Sequence, residues 1–167
     1  RRHRAGARMS LPYAVLWGLL ATVAMTAVLQ ASQGFGWSRL SLPLLVGTFF
    51  TSHRDRAVVW GYLLYVIGGW LFAFLYFLLF DSVGIRTWWF GALAGLGHGL
   101  FLLVCALPLL PFIHPRMASE YHGVTARRQL EPPGFLAVNY GYGTPLTTLL
   151  AQTVYGAVLG TFAQLAI

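Results

Sequence analysis

Apolar residues fill this chain in four long runs, and short polar clusters separate them. Residues 11–31, 57–80, 88–113 and 145–167 contain no Asp, Glu, Lys or Arg. Hydrocarbon excludes charge, and a helix needs roughly 20 apolar residues to cross it. Each run therefore predicts one spanning helix. The pattern as a whole predicts an all-α integral membrane bundle of four transmembrane helices.

The polar breaks carry further detail. Pro12 suits the first turn of the first span, and Ala24, Ala27 and Ala31 give that span one small-residue face. Gly34, Gly36 and Ser41 then interrupt the chain, and Pro43 opens another apolar stretch. Its roughly 9 apolar residues would reach only about 14 Å as a helix. Residues 42–52 are thus expected to form a short interfacial or re-entrant helix. His53-Arg54-Asp55-Arg56 is a compact polar stop. The second span is rich in rings, among them Trp60, Tyr65, Trp70, Phe72, Tyr76 and Phe80, which fall on every side of the helix. Gly84 pivots a short turn, so spans two and three should form an antiparallel hairpin. Trp88-Trp89 marks a membrane interface. The third span would be roughly 39 Å long, and Pro108 and Pro111 predict a kink near its end. Residues 114–144 form the one long polar loop, and its aromatic last part, 135–142, is expected on the bilayer surface. Pro145 opens the fourth span. Residues 1–10 are a basic juxtamembrane arm, and 11–167 a single transmembrane domain. Residues 11–31 are too long and too poorly ended for a simple signal peptide.

Composition agrees. The chain is 57% hydrophobic and 9% charged, against about 25% charged for a soluble domain. Four spans and their loops use all 167 residues, which leaves no room for a water-soluble domain. Cys105 is the single cysteine, so no intrachain disulfide can form. The net charge is +7 and every basic residue outside histidine is Arg. Those arginines sit beside spans, where anionic lipid rather than nucleic acid is the nearest polyanion. Arg54, Arg56, Arg116, Arg127 and Arg128 are the candidate headgroup contacts. With four spans, Arg1, Arg2, Arg4, Arg8 and Arg86 face one side. Arg39, Arg54, Arg56, Arg116, Arg127 and Arg128 face the other, so charge bias sets no orientation. If residues 32–52 also crossed, the bias would be strong. Charge thus favours five spans and segment length favours four; length is the firmer guide.

His98 stands alone as an imidazole inside a span. It lies about ten residues, or roughly 15 Å, from Trp88, near the midplane. Gly91, Ala94, Gly95 and Cys105 share its face. An intramembrane ionisable residue is a functional-site hypothesis by default. Three readings stay open: a neutral His hydrogen-bonded to another helix, with Tyr155 the expected partner; a ligand to a bacteriochlorophyll or haem; and a carotenoid, quinone or lipid contact. Gly91, Gly95 and Gly99 on span three, and Gly156 and Gly160 on span four, repeat a small residue every fourth position. Such faces let helix backbones approach closely, either within the chain or against a partner helix. Gln152, Thr153, Tyr155 and Gln164 are the residues from which a polar path could be built. No span carries a carboxylate, and no metal-ligand cluster, phosphate loop or nucleophile elbow is present, so pump and hydrolase chemistry lose ground.

Several strings resemble a group of small, functionally uncharacterised bacterial four-helix inner-membrane proteins. They are Leu45-Val46-Gly47-Thr48-Phe49-Phe50-Thr51, Asp55-Arg56-Ala57, Gly69-Trp70-Leu71-Phe72-Ala73, Trp88-Trp89-Phe90-Gly91-Ala92, Gly97-His98-Gly99, His114-Pro115-Arg116-Met117 and Pro132-Pro133-Gly134-Phe135. The resemblance covers most of the chain from about Leu42 and implies a multi-pass protein of the bacterial inner membrane. The leading functional expectation is a non-catalytic accessory subunit of a larger photosynthetic or respiratory complex, in contact with lipids, pigments and other transmembrane subunits. A small oligomeric permease or channel is the alternative, and a cofactor-binding protein built on His98 the third.

Overall fold

A computed structural model describes residues 11–119 and 122–165. The expected basic arm, 1–10, lies outside the described residues, as do Glu120 and Tyr121 in the long loop and the last two positions. Six α-helices follow in order: α1 (Leu11–Gly34), α2 (Leu42–Gly47), α3 (Arg54–Val83), α4 (Trp88–Phe101), α5 (Leu107–Ile113) and α6 (Thr144–Leu165). A π-helical turn, Leu102–Ala106, joins α4 to α5, and a 3-10 turn, Phe135–Tyr140, precedes α6. Among the described residues, four helical segments are long and apolar enough to cross a membrane: α1, α3, the continuous α4–α5 unit and α6. Among the described residues there is no strand, only one isolated bridge between Met117 and Leu130.

Local sequence explains each boundary. The Oγ of Ser41 accepts the Leu44 N–H at the start of α2, and Pro43 sits in the first turn, where a missing N–H costs nothing. Asp55 lies in the first turn of α3, where a carboxylate complements the helix dipole. Gly84 closes α3 in the left-handed region, with φ +75°, and donates its N–H to the Phe80 carbonyl; an L-side chain there would be strained. Pro108 cannot donate to the carbonyl four residues earlier, and its ring crowds that carbonyl. The chain answers with the widened turn at 102–106, a usual way to absorb such a break. The expected disruption near the end of span three is therefore a π-helical turn, and α5 runs on through Pro111 to Ile113.

α6 is the central helix. Half of its most apolar window is buried, against 17% for α4–α5. It packs closely on antiparallel α4 and also on α1, while α1 packs on α3. Ala21, Met25, Ala73, Tyr76, Phe80, Ala151, Tyr155 and Leu159 form the core between α1, α3 and α6. Trp17 stacks on Phe162, and the Trp70 indole donates to the Val15 carbonyl at 2.9 Å. On α3 only one stripe is buried, including Ala57, Gly61, Gly69, Ala73 and Phe80. Most other ring and aliphatic positions of that helix point outward, Trp60, Leu63, Leu71 and Leu75 among them.

Residues 32–52 do not span the bundle. α2 is six residues long and lies across α3 at one end. The segments on either side of it hydrogen-bond to the 114–144 loop, with Ser38 Oγ and Thr144 Oγ1 2.8 Å apart and the Arg39 guanidinium donating to the Asn139 carbonyl at 2.6 Å. Segments 35–53 and 114–143 thus share one end of the molecule, and the Gly84 turn lies at the other.

Candidate functional site

The polar end of the bundle is assembled around His114-Pro115-Arg116, directly after α5. His114 is 1% exposed. The Arg116 backbone N–H donates to its Nδ1 at 3.1 Å, so Nδ1 is an acceptor and Nε2 carries the proton. Nε2 then donates toward the Leu45 carbonyl at 3.1 Å, with Thr48 Oγ1 at 3.2 Å. The Phe49 ring meets the imidazole edge-on at 4.0 Å between centroids. Arg116 completes the clamp: one guanidinium nitrogen donates to the carbonyls of Thr48 at 2.5 Å and Phe49 at 2.9 Å. These carbonyls follow α2, so a cation here also complements the helix C-terminus. Burial lowers the His114 pKa below its usual value; the Leu45 carbonyl opposes this and the Arg116 charge adds to it. Sequence reading expects a lipid-headgroup contact from Arg116. The structure gives it a second task, holding α2 down on the bundle.

The loop beyond folds back on the clamp. Leu130 donates its N–H to the Arg116 carbonyl and accepts from Ala118, each at 3.0 Å. This pairing brings Arg127 and Gln129 beside Arg116. The three side chains, with Thr48, Ser52, Ala126 and Leu130, line a cavity of about 390 Å³. Of the five arginines expected at lipid headgroups, Arg116 and Arg127 share this cavity. Arg54 and Arg56 are exposed on the first turn of α3, and Arg128 reaches the Met117 carbonyl at 3.5 Å. Farther along the same end, Arg39 pairs with Glu131 at 3.3 Å, and the Tyr140 hydroxyl donates to the Glu131 carbonyl at 2.7 Å. Burial, then the Glu131 carboxylate, pushes the Tyr140 phenol up to about 12. The aromatic segment is therefore not a simple surface strip: Phe135 and Tyr142 are exposed, whereas Ala137 and Tyr140 turn inward. Leu136 and Ala137 adopt φ +54° and +58° to achieve this, an uncommon conformation outside glycine.

His98 forms a contact to another helix, but with Tyr76 of α3 instead of Tyr155. Its Nδ1 lies 3.3 Å from the Tyr76 hydroxyl, and its ring packs on Phe72 at 4.4 Å. Tyr155 is used elsewhere, donating to the Gly69 carbonyl at 2.6 Å. The His98 Nε2 has no hydrogen-bond partner and is shielded from solvent. A metal-centred macrocycle could reach that nitrogen only if the side chains around it moved aside.

The glycine faces pack on each other. A methyl group on Gly91 would run into the Gly156 carbonyl, one on Gly95 into the Gln152 carbonyl, and one on Gly160 into the Thr87 carbonyl. Gly99 faces Leu149 of α6. The close α4–α6 approach that these residues allow is internal to the chain, and this face is not left open to a partner helix. Sequence reading missed a second close approach. Gly47 and Gly61 let α2 rest directly on the α3 backbone; the signal was a small residue in each of two apolar segments.

Gln152 and Thr148, one turn apart on α6, are 3% and 1% exposed. Gln152 Oε1 and Thr148 Oγ1 have no hydrogen-bond partner. Thr153 is half-buried, Tyr155 buried and Gln164 exposed, so the four residues expected to build a polar path, Gln152 among them, do not share one surroundings. Among the described residues, no cluster of His, Cys, Asp and Glu could hold a metal ion. Comparison with protein families, curated proteins and solved structures finds no match.

Proposed function

We propose that the chain is a multi-pass protein of the bacterial inner membrane, acting as a non-catalytic accessory subunit of a larger bioenergetic complex. The carrying observation is the width of its uncovered apolar faces. Trp60, Leu63, Leu71 and Leu78 on α3, and Leu93, Phe101 and Leu109 on α4–α5, are all more than half exposed. A chain in water would not leave such faces open; in a bilayer, lipid and neighbouring helices cover them. The rings of α3 offer flat, stiff surfaces to other helices or pigments. The resemblance to small bacterial inner-membrane proteins supports the location. Extraction from native membranes in mild detergent tests the reading. A heavy peak on a sizing column, with co-eluting subunits, is expected, and its visible spectrum would name the kind of complex. A light, colourless monomer would contradict it.

One observation favours a second reading, a small permease working as an oligomer. The partnerless Gln152 Oε1 and Thr148 Oγ1 lie buried at the centre of an apolar bundle, where an unsatisfied polar atom costs about 1–3 kcal/mol. Solute flux in liposomes that disappears in Gln152→Leu would support it. Absence of flux for every solute tried would end it.

A further inference from the structure

We infer that the cavity between Arg116 and the 126–130 loop binds a phosphate-bearing anion, seated there as the headgroup of an anionic phospholipid. Two guanidinium groups line it, and among the described residues none of its lining is a carboxylate. Arg116 is held in place by the Thr48 and Phe49 carbonyls through one nitrogen. Its other nitrogens make no hydrogen bond to another described residue, and the side chain is only half-buried. A guanidinium fixed on one side and free on the other presents a ready fork to phosphate oxygens. Arg127 is an exposed residue of the same lining and has no ion pair with another described residue. Ser52 and the Gln129 amide add neutral groups able to bond a headgroup.

Position and size select a lipid over a free ion. The cavity lies where α5 ends and α3 begins, the depth at which headgroups sit if these helices cross a bilayer. This part rests on the membrane reading, whereas the phosphate chemistry does not. At about 390 Å³ it falls within the range of small-molecule sites, and a bare phosphate would fill only a fraction of it. Arg39 and Arg86 do not compete for the ligand, since each is already paired with a carboxylate.

The test uses the purified chain in detergent, so it is independent of any partner subunit. Lipid retention is read by native mass spectrometry after incubation with equal amounts of phosphatidylglycerol and phosphatidylcholine. One phosphatidylglycerol per chain should be retained in preference. Arg127→Gln, whose side chain bonds no other described residue, should lower retention roughly tenfold, the effect of losing a charge-assisted hydrogen bond. Arg56→Gln removes the same charge from an exposed position outside the cavity and should change retention less than about twofold. Ser52→Ala gives a second, milder lesion should Arg127→Gln prove unstable. Inorganic phosphate is the other arm. If it alone raises the melting temperature as much as phosphatidylglycerol does, and only with Arg127 present, the site is supported and its ligand is the free anion. Equal retention of the two lipids, or equal losses in Arg127→Gln and Arg56→Gln, would overturn the proposal.

Discussion

Single atoms decide how closely these helices approach. Gly95 sits against the α6 backbone, whereas Gly97, two positions on, faces open space. Gly95→Ala should cost about 1–3 kcal/mol through forced separation of α4 and α6. Gly97→Ala should be neutral or stabilising by about 0.5–1 kcal/mol, because helical glycine is entropically poor. Thermal melts of the two variants in detergent check the contrast, and similar melting temperatures would contradict it. His114 adds a pH dependence. Its folded pKa lies below the ordinary 6.5, so the unfolded chain takes up a proton first as pH falls. Its contribution is complete above about 6.5 and is lost as pH drops from there toward the folded pKa. Melts from pH 8 to 5 should show that decline in the native chain and a flatter profile in His114→Gln. The spacing of the glycines on α4 and α6 was readable from sequence. The Tyr76 partner of His98 was not, because it depends on how α3 and α4 lie side by side, which no local pattern encodes.

The long elements follow directly from charge-free runs, since an apolar segment of that length has few other stable states. The short ones do not. α2 is too short to hold its helical state by propensity, and it depends on three outside supports: Gly61 beneath it, and His114 and Arg116 at its end. Gly61→Val should lift it from α3. Hydrogen exchange at the Leu45 and Thr48 amides should then speed up at least about tenfold while the core of α6 is unchanged; unchanged exchange at both amides would show that α2 is held in some other way. The π-helical turn before Pro108 was foreseen only as a kink. A proline announces that a hydrogen bond is missing, but neighbouring packing decides whether the helix bends or widens.

For the whole molecule, the membrane reading depends on sidedness. Sequence charge counts left four spans and five in conflict, because orientation bias and segment length pointed opposite ways. Hydrogen bonds from Ser38 to the first residue of α6 and from Arg39 to the loop before it resolve the conflict in the fold, through contacts 100 and 106 residues apart in sequence that no window of residues reveals. The clamp on α2, the arginine cavity and the outward faces of α3 make functional sense only if residues 35–53 and 114–143 meet the same membrane surface. Cysteine accessibility in sealed vesicles measures this directly. In a Cys105→Ala background, Gly34→Cys and Gly123→Cys both fall at positions with nothing within 4 Å of an added side chain. The account predicts that a membrane-impermeant thiol reagent labels both from the same side, and Ser82→Cys from the opposite side. Labelling of Gly34→Cys and Gly123→Cys from opposite sides would mean that residues 35–53 cross the bilayer, and would contradict it.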